Sequence, residues 1–336
     1  MLKYLLKRIL GGIFVILGIS VFIFLLIRVV PGDPVRMALG PNAPDYAVKA
    51  MREQMHLDAP LAMQYVYWIS GVARGDFGQS LTTKRPVAQD VVEFLPATLE
   101  VALLAGVIFV VGSIVIGLAA ARYRDTWFDG FIRACSYVGI SIPSFVLAIL
   151  LLLWFGYYWK ILPVSGRISG NFQVPAVTGF MVLDCLLGGS LKAAGDAFLH
   201  LIIPAVSLAV GCLFQEARLL RSSIIDNMHN EFYSVELGYG LPKAFIVRKY
   251  LFKPSFIPVI SVMGLDFASL MGNAFLVETV FGWPGISRYG MNAMLNKDLN
   301  AVSAVIILYG FVFVIVNIVV DIIAAYLDPR SRMSSR

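Results

Sequence analysis

A chain of 336 residues with 59% apolar and only 14% charged side chains and a mean hydropathy of +0.80 lies far from soluble domains, in which about a quarter of residues are charged. The net charge of +6 is then no sign of a nucleic-acid surface; in a membrane protein it measures the Lys and Arg kept on one side. Cys135, Cys185 and Cys212 are too few and too scattered for a disulfide framework or a metal cluster, and His56, His200 and His229 fall in three separate segments.

The chain opens with Lys3, Lys7 and Arg8, followed by an apolar run from Ile9 to Val30. That run exceeds the ~7–15 apolar residues of a signal peptide and no small-residue cleavage site follows it, so residues 1–30 read as a retained first span. Arg28 near its outer end is placed to snorkel. Pro31-Gly-Asp-Pro34 stops the span, and residues 31–96 form a polar segment of mixed charge, expected as an external subdomain. Within it Ala47 to His56 is expected to be helical, and Tyr65, Tyr67, Trp68 and Ile69 suit a membrane interface.

Residues 97–336 are expected to carry five further spans. The second covers about Leu99 to Ala121. The third covers about Phe131 to Trp159 and contains Ser141-Ile-Pro-Ser144, whose proline predicts a kink. Lys160 to Leu199 is a second external segment. The fourth span covers about His200 to Ala217, the fifth Phe256 to Phe281 and the sixth Ala301 to Leu327, before a basic tail. The concentrated Lys and Arg fall at the N-terminus, the second–third loop, the fourth–fifth loop and the tail. All lie on one side of a six-span arrangement, which puts both termini in the cytoplasm. The fold class is an all-α polytopic membrane protein.

The loop at 218–255 is the most distinctive stretch. Phe232, Val235 and Tyr239 recur at helical spacing, Gly240 offers a C-terminal stop and Pro242 a fresh start. Glu231, Tyr233, Glu236 and Lys243 complete a short charged helix and its exit. A knob for another protein and a helix lying on the membrane surface both fit these residues. No Walker-type phosphate loop, HExxH or GxSxG occurs. The charges in or beside spans are Arg28, Glu100, Arg133, Glu216, Asp266, Glu278 and Asp321. Asp266, Glu278 and Asp321 are candidates for a polar pathway or for helix packing. A channel, a secondary transporter and the membrane half of an ATP-driven machine all fit this inventory.

An ordered series of motifs narrows the choice. Leu5-Leu-Lys-Arg-Ile9, Pro31-Gly-Asp-Pro-Val35, Gly75-Asp-Phe-Gly-Gln-Ser80, Arg85-Pro-Val87 and Pro96-Ala-Thr-Leu-Glu100 are followed by Ser141-Ile-Pro-Ser-Phe145. Leu162-Pro-Val-Ser-Gly-Arg167, Val277-Glu-Thr-Val-Phe-Gly-Trp-Pro-Gly285 and the ending from Asp321 to Asp328-Pro329 complete the series. Together they resemble the B-type permease subunits of peptide/nickel ABC importers over nearly the full length. The longer third-to-fourth segment, with Thr178-Gly-Phe-Met-Val-Leu-Asp184 and His200-Leu-Ile-Ile-Pro204, resembles the dipeptide and antimicrobial-peptide branches more than the nickel branch. Small peptides are thus the favoured substrate, with nickel, opines, glutathione or a polyamine as alternatives.

The resemblance implies the type I importer permease fold in the bacterial inner membrane. It also implies a homologous C-type permease, two ATPase subunits that bind the ATP and Mg, and an external substrate-binding protein. This chain would hold no cofactor, metal or nucleic acid and would catalyse no reaction. Glu231, Phe232, Tyr233, Val235, Glu236, Tyr239, Gly240 and Lys243 would form the coupling helix on an ATPase. Gly240 and Pro258 keep the family spacing there. Phe232 stands at a family Tyr, Glu236 at a family Ala, Leu237 and Tyr239 at basic positions, Tyr250 at a His and Pro254 at an Asn.

Overall fold

The computed structural model describes residues 2–29, 34–40, 43–54 and 56–327, and these are helical apart from loops and one isolated bridge between Gln79 and Pro86. The turn expected at 31–33, the snorkelling side chain of Arg28 and the basic tail from 328 lie outside the described residues. The elements are α1 (Leu2–Val29), α2 (Pro34–Leu39), α3 (Asp45–Gln54), α4 (Leu61–Ala73), α5 (Val87–Arg122), α6 (Trp127–Ser141) and α7 (Ser144–Leu151). They continue as α8 (Met181–Leu187), α9 (Leu191–Asn227), α10 (Glu231–Gly238), α11 (Lys243–Ile246), α12 (Phe252–Val280), α13 (Ile286–Leu295) and α14 (Leu299–Leu327). A π-helical turn at Leu152–Tyr158 continues α7, and another at Val247–Leu251 joins α11 to α12.

Among the described residues, five helical stretches are long and apolar enough to cross a membrane: α1, α5, α9, α11 through α12, and α14. The pair α6 and α7, bent by 105°, passes the same test of length and composition when taken together as one broken span, which makes six. The break is local chemistry. Pro143 has no N–H to give the preceding turn, and its ring drives Ile142 to an extended conformation, φ −89° and ψ 118°. The kink expected at this proline is thus close to a right angle.

Three boundaries differ from the sequence expectation. α5 and α9 start well before their apolar runs, at Val87 and Leu191. The helix expected after Pro242 is not a separate cytoplasmic element but the first turns of the fifth crossing. In each case backbone hydrogen bonding propagates through polar residues once an apolar stretch has nucleated the helix.

α5 and α9 make the most extensive helix–helix interface. Hydrocarbon gives no hydrophobic drive between helices, so close approach of small residues does the packing. A side-chain carbon at Gly117 of α5 would stand 2.9 Å from the Ala217 carbonyl of α9. The opposite face of α5, with Leu103, Val107, Val111 and Val115, is exposed, as befits a surface turned to lipid. Ser136 of α6 donates to the Phe214 carbonyl at 2.9 Å, and Asn227 of α9 donates to Ser255 Oγ of α12 at 3.0 Å. α4 rests on α1: Tyr65 meets Phe24 edge-to-face and Trp68 meets it tilted, with ring centroids at 5.4 and 5.7 Å, and the Tyr65 hydroxyl meets Ser20 Oγ at 2.7 Å. The aromatic cluster expected at a membrane interface therefore spends two of its rings on α1.

The start of α6 is tied to α9 by charge. Arg221 grips the fully buried Asp129 with both Nε and a terminal nitrogen, the latter at 2.5 Å. Breaking one side of such a pair costs about 3–5 kcal/mol, and here it leaves the buried charge with only the half-exposed Arg133 guanidinium as counter-charge, at 3.9 Å. Arg221→Met is therefore expected to lower the melting temperature of the purified protein sharply. Adding Asp129→Asn to Arg221→Met should recover much of that loss in the same thermal scan.

Candidate functional site

α10 projects from the end of the bundle where α9 finishes and the fifth crossing begins. Its two faces differ. Tyr233 and Leu237, four residues apart, pack against the main core. Phe232, Val235 and Tyr239 share the other face and are 40, 54 and 78% exposed. Glu236 is partly buried on the border between these faces, while Glu231 and Lys243 are exposed. The apolar stripe read from the sequence is thus an outward-facing surface, and a second stripe, Tyr233 and Leu237, anchors it.

The exit from α10 is a defined turn. Gly240 N–H donates to the Leu237 carbonyl at 2.9 Å and Leu241 N–H to the Glu236 carbonyl at 3.4 Å, the paired bonds of a Schellman cap. Gly240 carries φ +75° with open space about it. The position demands a left-handed backbone rather than a small side chain. Pro242 then caps α11 instead of opening it, with ψ 134°. Lys249 Nζ lies 5.0 Å from the Phe245 ring and 5.6 Å from the Tyr250 ring, which ties down part of the basic cluster.

At the other end of α12 the quoted motifs converge. Glu278 Oε2 accepts from the Arg288 N–H in the first turn of α13 at 2.7 Å. Its Oε1 accepts from Thr98 Oγ1 at 2.5 Å, and Thr98 Oγ1 accepts from the Ile286 N–H at 2.8 Å. One carboxylate and one hydroxyl therefore satisfy two free N–H groups that open α13. A side-chain carbon at Gly285 would stand 2.2 Å from Glu278 Oε1, so the chain closes over the acid only with glycine there. Beside this, Arg167 meets Glu100 at 2.5 Å and the Gly179 carbonyl at 2.7 Å, and lies over the Trp283 ring. Trp283 Nε1 donates to the Ala97 carbonyl at 3.0 Å.

The remaining candidates are separated. Asp321 of α14 pairs with Arg8 of α1 at 3.0 Å, in a groove between those two helices. Asp266 of α12 lines a different cavity of about 570 Å³, walled by the α6–α7 break and α9. The sequence motifs contained Thr98, Glu100, Arg167 and Trp283 without giving their partners. The Asp129–Arg221 pair lay outside every motif, and only a Cys-poor, charge-poor chain spending two charges there hinted at it. No group of three or more His, Cys, Asp or Glu among the described residues is arranged to hold a metal.

The architecture is that of a polytopic membrane subunit with a projecting helix between two of its crossings. Residues 113–333 match the model of the family described as binding-protein-dependent transport system inner membrane component. Residues 1–102 match that family's N-terminal membrane component. The chain is 36% identical over 325 residues to the probable D,D-dipeptide transport system permease protein DdpB of Escherichia coli (strain K12), covering 96% of each. It is 34% identical over 318 residues to the di/tripeptide transport system permease protein DppB of Pseudomonas aeruginosa (strain UCBPP-PA14), covering 94% of each. It is 32% identical over 333 residues to the glutathione transport system permease protein GsiC of Salmonella typhimurium, covering 99% of each. The chain belongs to this permease family. It is a multi-pass inner membrane permease of a binding-protein-dependent ABC importer, a family that works with ATPase and binding-protein subunits.

Two substitutions test the two ends of α12. Gly240→Val should destabilise the cap of α10 by about 1–2 kcal/mol through left-handed strain, read as faster amide exchange over 236–241, while Gly240→Asn keeps most of the protection. Thr98→Val leaves the Ile286 N–H and one oxygen of Glu278 without their partner. It is expected to cost about 1–3 kcal/mol in unfolding measurements and to expose the start of α13 to exchange.

Proposed function

We propose that this permease moves small peptides, di- or oligopeptides, with antimicrobial peptides inside the same chemical class. The observation that supports this most directly is that relatives named for D,D-dipeptide and di/tripeptide transport align with it from end to end. The long segment between the third and fourth crossings, with its own helix α8, agrees with the peptide branch. In this reading a homologous C-type permease completes the pathway, two ATPases supply the energy and an external binding protein delivers the peptide. Both termini face the cytoplasm. Residues 1–30 form the first span, 31–96 face the binding protein, and 97–336 form the five-span core with its coupling loop at 218–255.

The coupling element is α10, with Glu231, Phe232, Tyr233, Val235, Glu236, Tyr239, Gly240 and Lys243. Phe232, Val235 and Tyr239 enter a groove on one ATPase. Tyr233 and Leu237 transmit the load inward to the core that they already touch. Glu278 and Asp321 serve helix packing, each held by partners within the chain.

The test is the importer reconstituted in liposomes with its own binding protein and a radiolabelled dipeptide. Aromatic anchors at such interfaces carry about 2 kcal/mol or more, roughly 30-fold in affinity. Tyr239→Asp with Phe232→Asp should abolish peptide uptake and the stimulation of ATP hydrolysis by loaded binding protein. Normal uptake by that variant would remove α10 from the coupling path. A wild-type importer that carries no dipeptide, while its binding protein ignores dipeptides, would remove the substrate reading.

A further inference from the structure

Among the described residues the buried acids are provided for, with one exception. Among the described residues, Asp90, Glu100, Asp129, Asp184, Glu278 and Asp298 are buried and each accepts from at least one donor. Glu216 of α9 is fully buried, and neither of its carboxylate oxygens has a hydrogen-bond partner. The ionisable group that faces it from the neighbouring helix is another acid, Asp266 of α12. Asp266 accepts from Gln215 Nε2 at 3.4 Å and forms part of the wall of the 570 Å³ cavity beside the α6–α7 break.

Two carboxylates that face one another away from water repel, and a cation beside them relieves that cost. Among the described residues neither acid forms an ion pair with a Lys, Arg or His. Asp266 lines a cavity whose wall also includes Ser207, Ser269 and Asn273. An anionic oxygen flanked by hydroxyls and an amide suits a compact cation carrying several N–H donors, which is the form of a primary ammonium group.

We propose that the Glu216–Asp266 pair is a cation site on the transport path, where Asp266 receives the protonated amino terminus of a passing peptide. This rests on the small-peptide reading for the identity of the ligand, but not for the existence of the site. Asp266 makes the contact. Glu216 is a positioning residue that faces Asp266 from α9 and fixes which of its oxygens faces the cavity. The arrangement gives the path a preference for cationic over anionic groups that is independent of the binding protein.

Cys135 and Cys212 line the same cavity, so the chain supplies its own reporter. In the full importer in nanodiscs, with Cys185→Ala and Cys212→Ala, the labelling of Cys135 is followed by mass spectrometry of this chain. Two methanethiosulfonate reagents are compared, the cationic trimethylammonium-ethyl and the anionic sulfonatoethyl. The cationic-to-anionic rate ratio should fall about tenfold when Glu216→Gln and Asp266→Asn are introduced together. An unchanged ratio, or a Cys135 that neither reagent reaches, overturns the site.

The second arm measures uptake of the dipeptide Ala-Ala at saturating binding protein. Asp266→Asn should reduce uptake about tenfold while ATP hydrolysis stimulated by the loaded binding protein persists, and Asp266→Glu should restore most of the uptake. Wild-type uptake by Asp266→Asn overturns the assignment to the substrate path. If the wild-type importer carries no Ala-Ala, the peptide reading fails and the labelling ratio still decides the cation site.

Discussion

A helix that begins in or beside a membrane exposes N–H groups for which hydrocarbon has no acceptor. In this permease the requirement falls on α13, and Glu278 and Thr98 meet it by reaching its first turn from two other helices. The solution dictates much around it. Gly285 must be glycine because the carboxylate fills the space of a side chain. Thr98 must sit where α5 passes α12, and that fixes Ala97 under the Trp283 indole. Trp283 then provides the ring under Arg167, whose guanidinium holds Glu100 and the Gly179 carbonyl. A backbone donor deficit of two bonds thus organises α5, α12, α13 and the segment leading to α8.

The motif series in the sequence marks that organisation without describing it. Pro96–Glu100, Leu162–Arg167 and Val277–Gly285 are far apart in the chain, and each reads locally as a turn or a helix end. Their meaning is pairwise, between residues up to 188 positions apart, and pairing over that distance leaves no periodic trace. Spans were legible because their signal is local: ~20 apolar residues need only be counted. Their ends were less so. α5 and α9 continue for several turns through polar residues, since a helix already nucleated gains a bond for every residue added. The right-angle break at Ile142–Pro143 was visible as a proline but not as an angle, because neighbouring helices set how far a chain freed of one bond will turn.

At the projecting helix the sequence supplied the surface but not the support. Phe232, Val235 and Tyr239 were legible as one face from spacing alone, and they do lie together and exposed. Spacing could not separate a face for lipid from a face for protein. The structure adds Tyr233 and Leu237 on the opposite side, packed into the core, and a glycine cap that fixes the angle of exit. Of the departures from the family pattern, Glu236 falls on the border and Tyr239 on the outer face, while Leu237 falls on the anchoring side and packs against the core.

The two ends of the fifth crossing are built differently. Its α13 end is clamped by Glu278, whose carboxylate is held from two helices at once. Its α10 end contains the π-helical turn Val247–Leu251, one of the places where a helix holds a surplus residue and its bonds shift register. Asp266 lies on the stretch between them, beside the cavity. The fixed knot and the surplus-residue turn thus stand at opposite ends of a single helix, with the acid on the length that separates them.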